Sequence, residues 1–139
     1  VSVPARLQRI VDMFSGAPRE LRLQALFDYS KRIPELPEDV DTSSMERVPE
    51  CQTQFFLQTR LDDGKVRLMF AAPDEAPTVR GYAGILYEGL DGETPETVLA
   101  VPRDFYLSMG LSDVVSPLRL RGMDAILFRL QAQVARLTA

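Results

Sequence analysis

The chain has 139 residues, 45% of them apolar and 26% charged, ordinary usage for a globular domain that buries its own core. Twenty acidic residues against sixteen basic ones give a net charge of −4, which excludes the basic footprint of a nucleic-acid binder. One cysteine and no histidine exclude an internal disulfide, a structural zinc site, a normally ligated iron–sulfur cluster and any cysteine–histidine catalytic pair.

The opening Val1-Ser2-Val3-Pro4-Ala5-Arg6 has no apolar signal-peptide core. No apolar run along the chain approaches the ~18 residues of a membrane-spanning helix. A single thiol suits a reducing cytosol, so a cytoplasmic location is expected, with residues 1–139 forming one domain. From Pro4 onward, Leu7, Ile10, Val11 and Phe14 recur at helical spacing until Gly16-Ala17-Pro18 interrupts them. A second helix is expected over 18–32, burying Leu21, Ala25, Leu26 and Tyr29. Pro34 and Pro37 stop it, because proline lacks the amide a helix needs. Residues 33–44 form a stiff acidic loop carrying Glu35, Glu38, Asp39 and Asp41, and a short strand over 45–48 ends at Pro49.

The clearest element is a β-hairpin of residues 52–61 and 65–72 around Asp62-Asp63-Gly64-Lys65. Asp-Gly is a favoured type I′ turn pair, because both central residues need positive φ. With Asp63 and Gly64 as the loop, Leu61 faces Val66, Thr59 faces Leu68, Leu57 faces Phe70 and Phe55 faces Ala72, all on one largely apolar face. The pairs Arg60–Arg67, Gln58–Met69 and Phe56–Ala71 share the other face, which is expected to meet water. A slip of one residue would invert the pattern.

A hairpin alone is marginal in water. The remaining segments read as helices that cover its apolar face. They span 78–88, ending at Gly89; 95–100, behind the cap-plus-proline pair Thr94-Pro95; 102–109, stopped by Gly110; and 117–137, behind Ser116-Pro117. The last helix carries Met123, Ile126, Leu127, Leu130, Val134 and Leu137 as its stripe. The expected fold class is α+β, a small antiparallel β-sheet with helices packed on one face.

Cys51 follows Pro49-Glu50 at the mouth of the hairpin, with inward parity if the strand extends that far. Two readings stand side by side. One is a small, buried, inert cysteine. The other is a nucleophile at a loop end beside a rigid strand. A free thiol is only a few per cent ionised at neutral pH, and nearby cations raise that fraction. Arg47 is close in sequence, Arg80 and Arg119 can approach through the fold, and Glu50 pushes the other way.

Six blocks in order extend the second reading: the proline-rich loop over 33–39, RVPECQTQFFL over 47–57, DDGKV over 62–66, APTVRGYAGIL over 76–86, DGETPETVLA over 91–100 and MGLSDVVSPLRLRGMDAIL over 109–127. In these the chain resembles the SufE family of sulfur acceptors, the Fe-S metabolism associated domain, in its actinobacterial-type variant. The resemblance covers nearly the whole chain. It implies a SufE/IscU-like fold and a partner, a pyridoxal-phosphate-dependent cysteine desulfurase of the SufS-like kind. The cofactor belongs to that partner, and the chain itself needs none and no metal. Carried over to this sequence, Cys51 is the persulfide-carrying nucleophile. It takes the outer sulfur from the desulfurase, stimulates its turnover and delivers the sulfur to a SufBCD-like iron–sulfur scaffold complex. Such thiol exchange is governed by thiolate fraction and access.

The family often has glycine where this chain has Glu50, so a positive φ there would be strained. Tryptophan and asparagine are common where Phe56 and Arg121 stand. Arg119, in Ser-Pro-x-Arg-x-x-Gly, reads as a contact to the cysteine loop or to the partner, or as a plain surface arginine. Gly122 reads as a packing point between helices. Gln52 and Gln54 face outward, towards a partner or simply towards water. The chain is expected to be a sulfur-transfer accessory protein rather than a stand-alone enzyme. Two competitors remain: a regulatory binding module for the desulfurase with an inert Cys51, and a one-cysteine redox sensor or peroxidase.

Overall fold

Apolar spacing and proline–glycine punctuation set the elements of the computed structural model, which describes residues 3–139. Helix α1 (Ala5–Gly16) buries Leu7, Ile10, Val11 and Phe14, as their helical spacing requires. Helix α2 (Arg19–Tyr29) is shorter than expected, and a 3-10 turn over Ser30–Arg32 finishes it. Leu26 and Tyr29 are buried, but Leu21 is 56% exposed. Leu21 stands five residues before Leu26, roughly 140° around the helix and off the stripe.

Strands β1 (Glu46–Arg47), β2 (Phe56–Asp62) and β3 (Lys65–Ala71) form an antiparallel sheet in the order β1-β2-β3. The hairpin has the expected register, from Asp62 opposite Lys65 to Phe56 opposite Ala71. Asp63 and Gly64 take φ values of 55° and 76°, as the type I′ turn demands. Leu57, Thr59, Val66, Leu68 and Phe70 turn inward and are buried, while Leu61 at the tip is exposed. The outer face is drier than expected. Met69 is buried there, bordering a shallow cavity with Pro34 and Pro37 of the acidic loop, and Asp39 pairs with Arg60 at 3.4 Å.

Helix α3 (Pro77–Leu90) runs through Gly89 instead of stopping at it. Gly89 is a close approach to Leu7 of α1, and the chain reverses at Gly92, with φ 87°. Helices α4 (Pro95–Ala100) and α5 (Pro117–Leu137) begin at the expected caps. The Thr94 hydroxyl accepts from the Thr97 amide at 3.3 Å and the Ser116 hydroxyl from the Arg119 amide at 3.4 Å. Between them, the expected helix over 102–109 is only a 3-10 turn, Phe105–Met109, closed by left-handed Gly110. There the amides of Phe105, Leu107 and Gly110 donate three residues back, to Pro102 (3.1 Å), Asp104 (2.9 Å) and Leu107 (3.4 Å), the tighter bonding of a 3-10 turn.

Helix α5 packs along β2, and α3 packs on α1, α2 and β3. Met123, Ile126, Leu127, Leu130 and Val134 are fully buried, and Leu137 at the end of the stripe is exposed. Buried Gln133 pins α5 to the sheet. Its oxygen accepts from the Thr59 amide (2.8 Å) and hydroxyl (2.9 Å), and its nitrogen donates to the Leu57 carbonyl (3.3 Å). Among the described residues no helix is long and apolar enough to cross a membrane.

Candidate functional site

β2 starts at Phe56, so residues 51–55 are not strand, and Cys51 owes its position to a turn instead of strand parity. Val48 and Phe55, both fully buried, close the base of that turn through the Val48 amide and the Phe55 carbonyl at 2.9 Å. Pro49–Cys51 form one 3-10 turn, in which the Cys51 amide donates to the Val48 carbonyl at 3.1 Å. Gln52 then reverses the chain with φ 54° and ψ 25°. The left-handed residue is therefore Gln52 and not Glu50, and Glu50 carries no such strain.

Cys51 is half-buried against α5. Its Sγ lies 3.8 Å from the Gly122 carbonyl oxygen. A Cβ on Gly122 would stand 3.3 Å from Cys51 Cα and 3.4 Å from Sγ, so Gly122 packs against the cysteine turn and not against another helix. Burial pushes the Cys51 thiol up to about 12; the Glu50 charge adds to the rise and the Arg129 charge opposes it. A thiolate facing the Gly122 carbonyl would also be repelled by it, which again favours the protonated form.

The cation that acts on the thiol is thus Arg129, which the sequence reading did not name. Its Nε and Nη2 donate to the two Glu50 oxygens at 3.2 and 3.0 Å, and its Nη1 donates to Glu46 Oε2 at 2.8 Å. These bonds hold the Glu50 carboxyl below its ordinary range. For Glu46 burial pushes upward, but Gln133 and Arg129 outweigh it and the net direction is down. One signal was available. Gly122, Arg129 and Gln133 share one face of α5, so two polar side chains sit beside a buried stripe and need partners. Arg47 is exposed on β1, and Arg80 braces the fold by donating to the carbonyls of Ala72 (2.6 Å) and Ser30 (3.2 Å).

Cys51 opens onto a cleft of about 410 Å³ lined by Gln52 and Thr53 of the turn, Thr78 and Val79 of α3, and Leu118 and Arg119 of α5. Cys51 and Arg119, far apart in sequence, share this cleft. Arg119 is exposed, and its Nη1 donates to the Thr78 hydroxyl at 3.2 Å. Gln52 and Gln54 are exposed, as is the acidic stretch of Glu35, Glu38, Asp39 and Asp41. Among the described residues no cluster of three or more acidic or thiol side chains is placed to hold a metal ion.

The SufE family, described as the Fe-S metabolism associated domain, matches residues 8–134. An uncharacterized SufE-like protein of Mycobacterium tuberculosis is 45% identical over 134 residues, covering 96% of this chain and 94% of that one. A hypothetical protein from Thermus thermophilus, whose solution structure is known, is 50% identical, with a TM-score of 0.89 over 98% of each chain. The cysteine desulfuration protein SufE of Plasmodium vivax is 23% identical over 131 residues, covering 91% of this chain and 52% of that protein.

Proposed function

The chain belongs to the SufE family and has a role in iron–sulfur metabolism, and from that premise we propose that Cys51 accepts persulfide sulfur from a cysteine desulfurase. The observation that carries this reading is the placement of the only thiol of the chain, half-buried, on a cleft that also holds the exposed Arg119. The donor carries a cysteine persulfide. Cys51 loses its proton, and its sulfur attacks the outer sulfur of the donor. A new S–S bond forms on Cys51, and the old one breaks. The donor cysteine leaves as a thiolate and takes up a proton. One persulfide and one thiol become one thiol and one persulfide, so no oxidant or metal is consumed.

The desulfurase supplies its own pyridoxal phosphate. Removing its persulfide frees it for another turnover, which is how the acceptor stimulates it. The sulfur then passes to a SufBCD-like scaffold complex in the cytoplasm. The name of the Plasmodium vivax relative, a cysteine desulfuration protein, supports the choice of donor. Arg119, which lines the same cleft as the thiol, contacts the docked partner.

The thiol pushed up to about 12 favours a second reading, a regulatory binding module whose cysteine stays inert. Incubation with desulfurase and L-cysteine, followed by intact mass measurement, separates the two. The acceptor gains one sulfur atom on Cys51, and Cys51→Ser gains none and does not stimulate. Stimulation that survives in Cys51→Ser, with no sulfur gained by the natural chain, would establish the module instead.

A further inference from the structure

The turn that carries Cys51 is gripped by α5 at two adjacent residues. Gly122 lies beneath Cys51, where the missing Cβ admits the thiol. Arg129, two helical turns along the same face, takes both oxygens of Glu50 at 3.2 and 3.0 Å. Such a two-bond fork between guanidinium and carboxylate is stronger and more directional than a single ion pair. Arg129 is not free to drift, because its third nitrogen is held by Glu46 at 2.8 Å. Glu46 is held in turn by Gln133 at 2.9 Å, and Gln133 by the buried Thr59. A continuous polar chain therefore runs from the sheet interior to the residue before the cysteine.

What this chain restrains is small and strained. The Val48–Phe55 bond closes the base, so only residues 49–54 are left to move. Within them Gln52 holds a left-handed backbone that a non-glycine residue adopts at a cost of about 1 kcal/mol. The Glu50 pair offsets that strain, and an open turn would relieve it.

We propose that the Glu50–Arg129 pair is a latch that holds the Cys51 turn closed against α5, and that its opening is the step that presents the thiol to a donor. Glu50 and Arg129 are positioning residues here, acting on Cys51 through the turn. The role of the opening rests on the sulfur-acceptor reading; the latch itself does not.

The test is the alkylation rate of Cys51 by iodoacetamide at fixed pH, with the full chain and no desulfurase. Charge alone makes Glu50→Gln faster, since a repelling anion is lost, and Arg129→Gln slower, since an attracting cation is lost. The latch makes both faster, by about fivefold for a partly exposed pair. The double variant should be no faster than Glu50→Gln. Because Arg129→Gln also releases Glu46, a second measurement follows hydrogen exchange in Glu50→Gln, which leaves the Glu46 contact intact. The amides of Cys51 and Gln52 should exchange faster, and those of Leu57 and Thr59 should not change. Opposite alkylation shifts in the two single variants, or unchanged protection of Cys51 and Gln52, would overturn the proposal. Neither assay contains a desulfurase, so failed sulfur uptake would count against the acceptor reading alone.

Discussion

A thiol held up to about 12 has about a thousandfold less thiolate at neutral pH than an ordinary one. The same shift ties Cys51 to stability, and its sign is fixed by proton counting. The unfolded chain releases this proton around 9.0, the ordinary value for a cysteine thiol. The folded chain keeps it until about 12. Between these values the folded state binds more protons, so stability falls as pH rises. The contribution is complete below the ordinary value and gone above the folded one. Guanidinium unfolding midpoints measured from pH 8 to pH 10 should therefore fall more steeply for the natural chain than for Cys51→Ala. The difference is a fraction of the full linkage, because water reaches part of the turn. Parallel slopes would mean that the thiol titrates normally in the folded chain. The sequence offered a buried cysteine as one of two readings but not the direction in which its proton affinity moves. Glu50 and a nearby cation were visible with opposing signs, but burial outweighs both, and burial arises only when α5 lies against the turn.

At the scale of elements, legibility followed the range of the forces. The hairpin register was readable because side chains alternate and Asp63-Gly64 admits one tight turn. The starts of α4 and α5 were readable because Thr94 and Ser116 cap amides in their own first turns. The boundary of β2 was not, because the residues beyond it satisfy themselves within a local turn that alternation cannot reveal. Arg129 was missed for a related reason: its carboxylate partners stand about eighty positions away and meet it only in the folded chain. The seating of α2 on α3 was equally hidden. A Cβ on Gly81 would overlap the Leu26 carbonyl, and one on Gly84 the Tyr29 carbonyl, so the two helices touch through backbone. Backbone cannot swing aside as a flexible side chain can. Gly84→Ala is expected to lose about 3 kcal/mol despite its gain in helix propensity. Denaturant unfolding measures this directly, and a stabilised variant would show that α2 and α3 separate freely.

At the scale of the whole molecule, the cleft exists because three distant segments converge: the turn after β1, the start of α3 and the start of α5. No local pattern encodes it: the sequence left Arg119 between a contact to the cysteine loop or the partner and a plain surface arginine, and only the folded chain lines one cleft with both Cys51 and Arg119. The molecule carries a net charge of −4, yet Arg119 offers a cation in the cleft that the thiol also lines, bonded to a neutral hydroxyl. A guanidinium so placed keeps most of its capacity for a partner carboxylate. Its removal takes the bond from the buried Thr78 hydroxyl but leaves the Ser116 cap, which uses only the Arg119 amide. Arg119→Ala is therefore expected to lose about 1 kcal/mol in denaturant unfolding. The concentration giving half-maximal stimulation of the desulfurase should nevertheless rise, by about fivefold at low salt. Rim charges act mainly on encounter, and added salt screens them. The gap between the two chains should accordingly close as ionic strength rises. Maximal stimulation at saturating acceptor should remain, because sulfur moves between two thiols without using the guanidinium. An unchanged half-maximal concentration at low salt would reduce Arg119 to a solvated surface residue, and a lost maximum would place it in the transfer step itself.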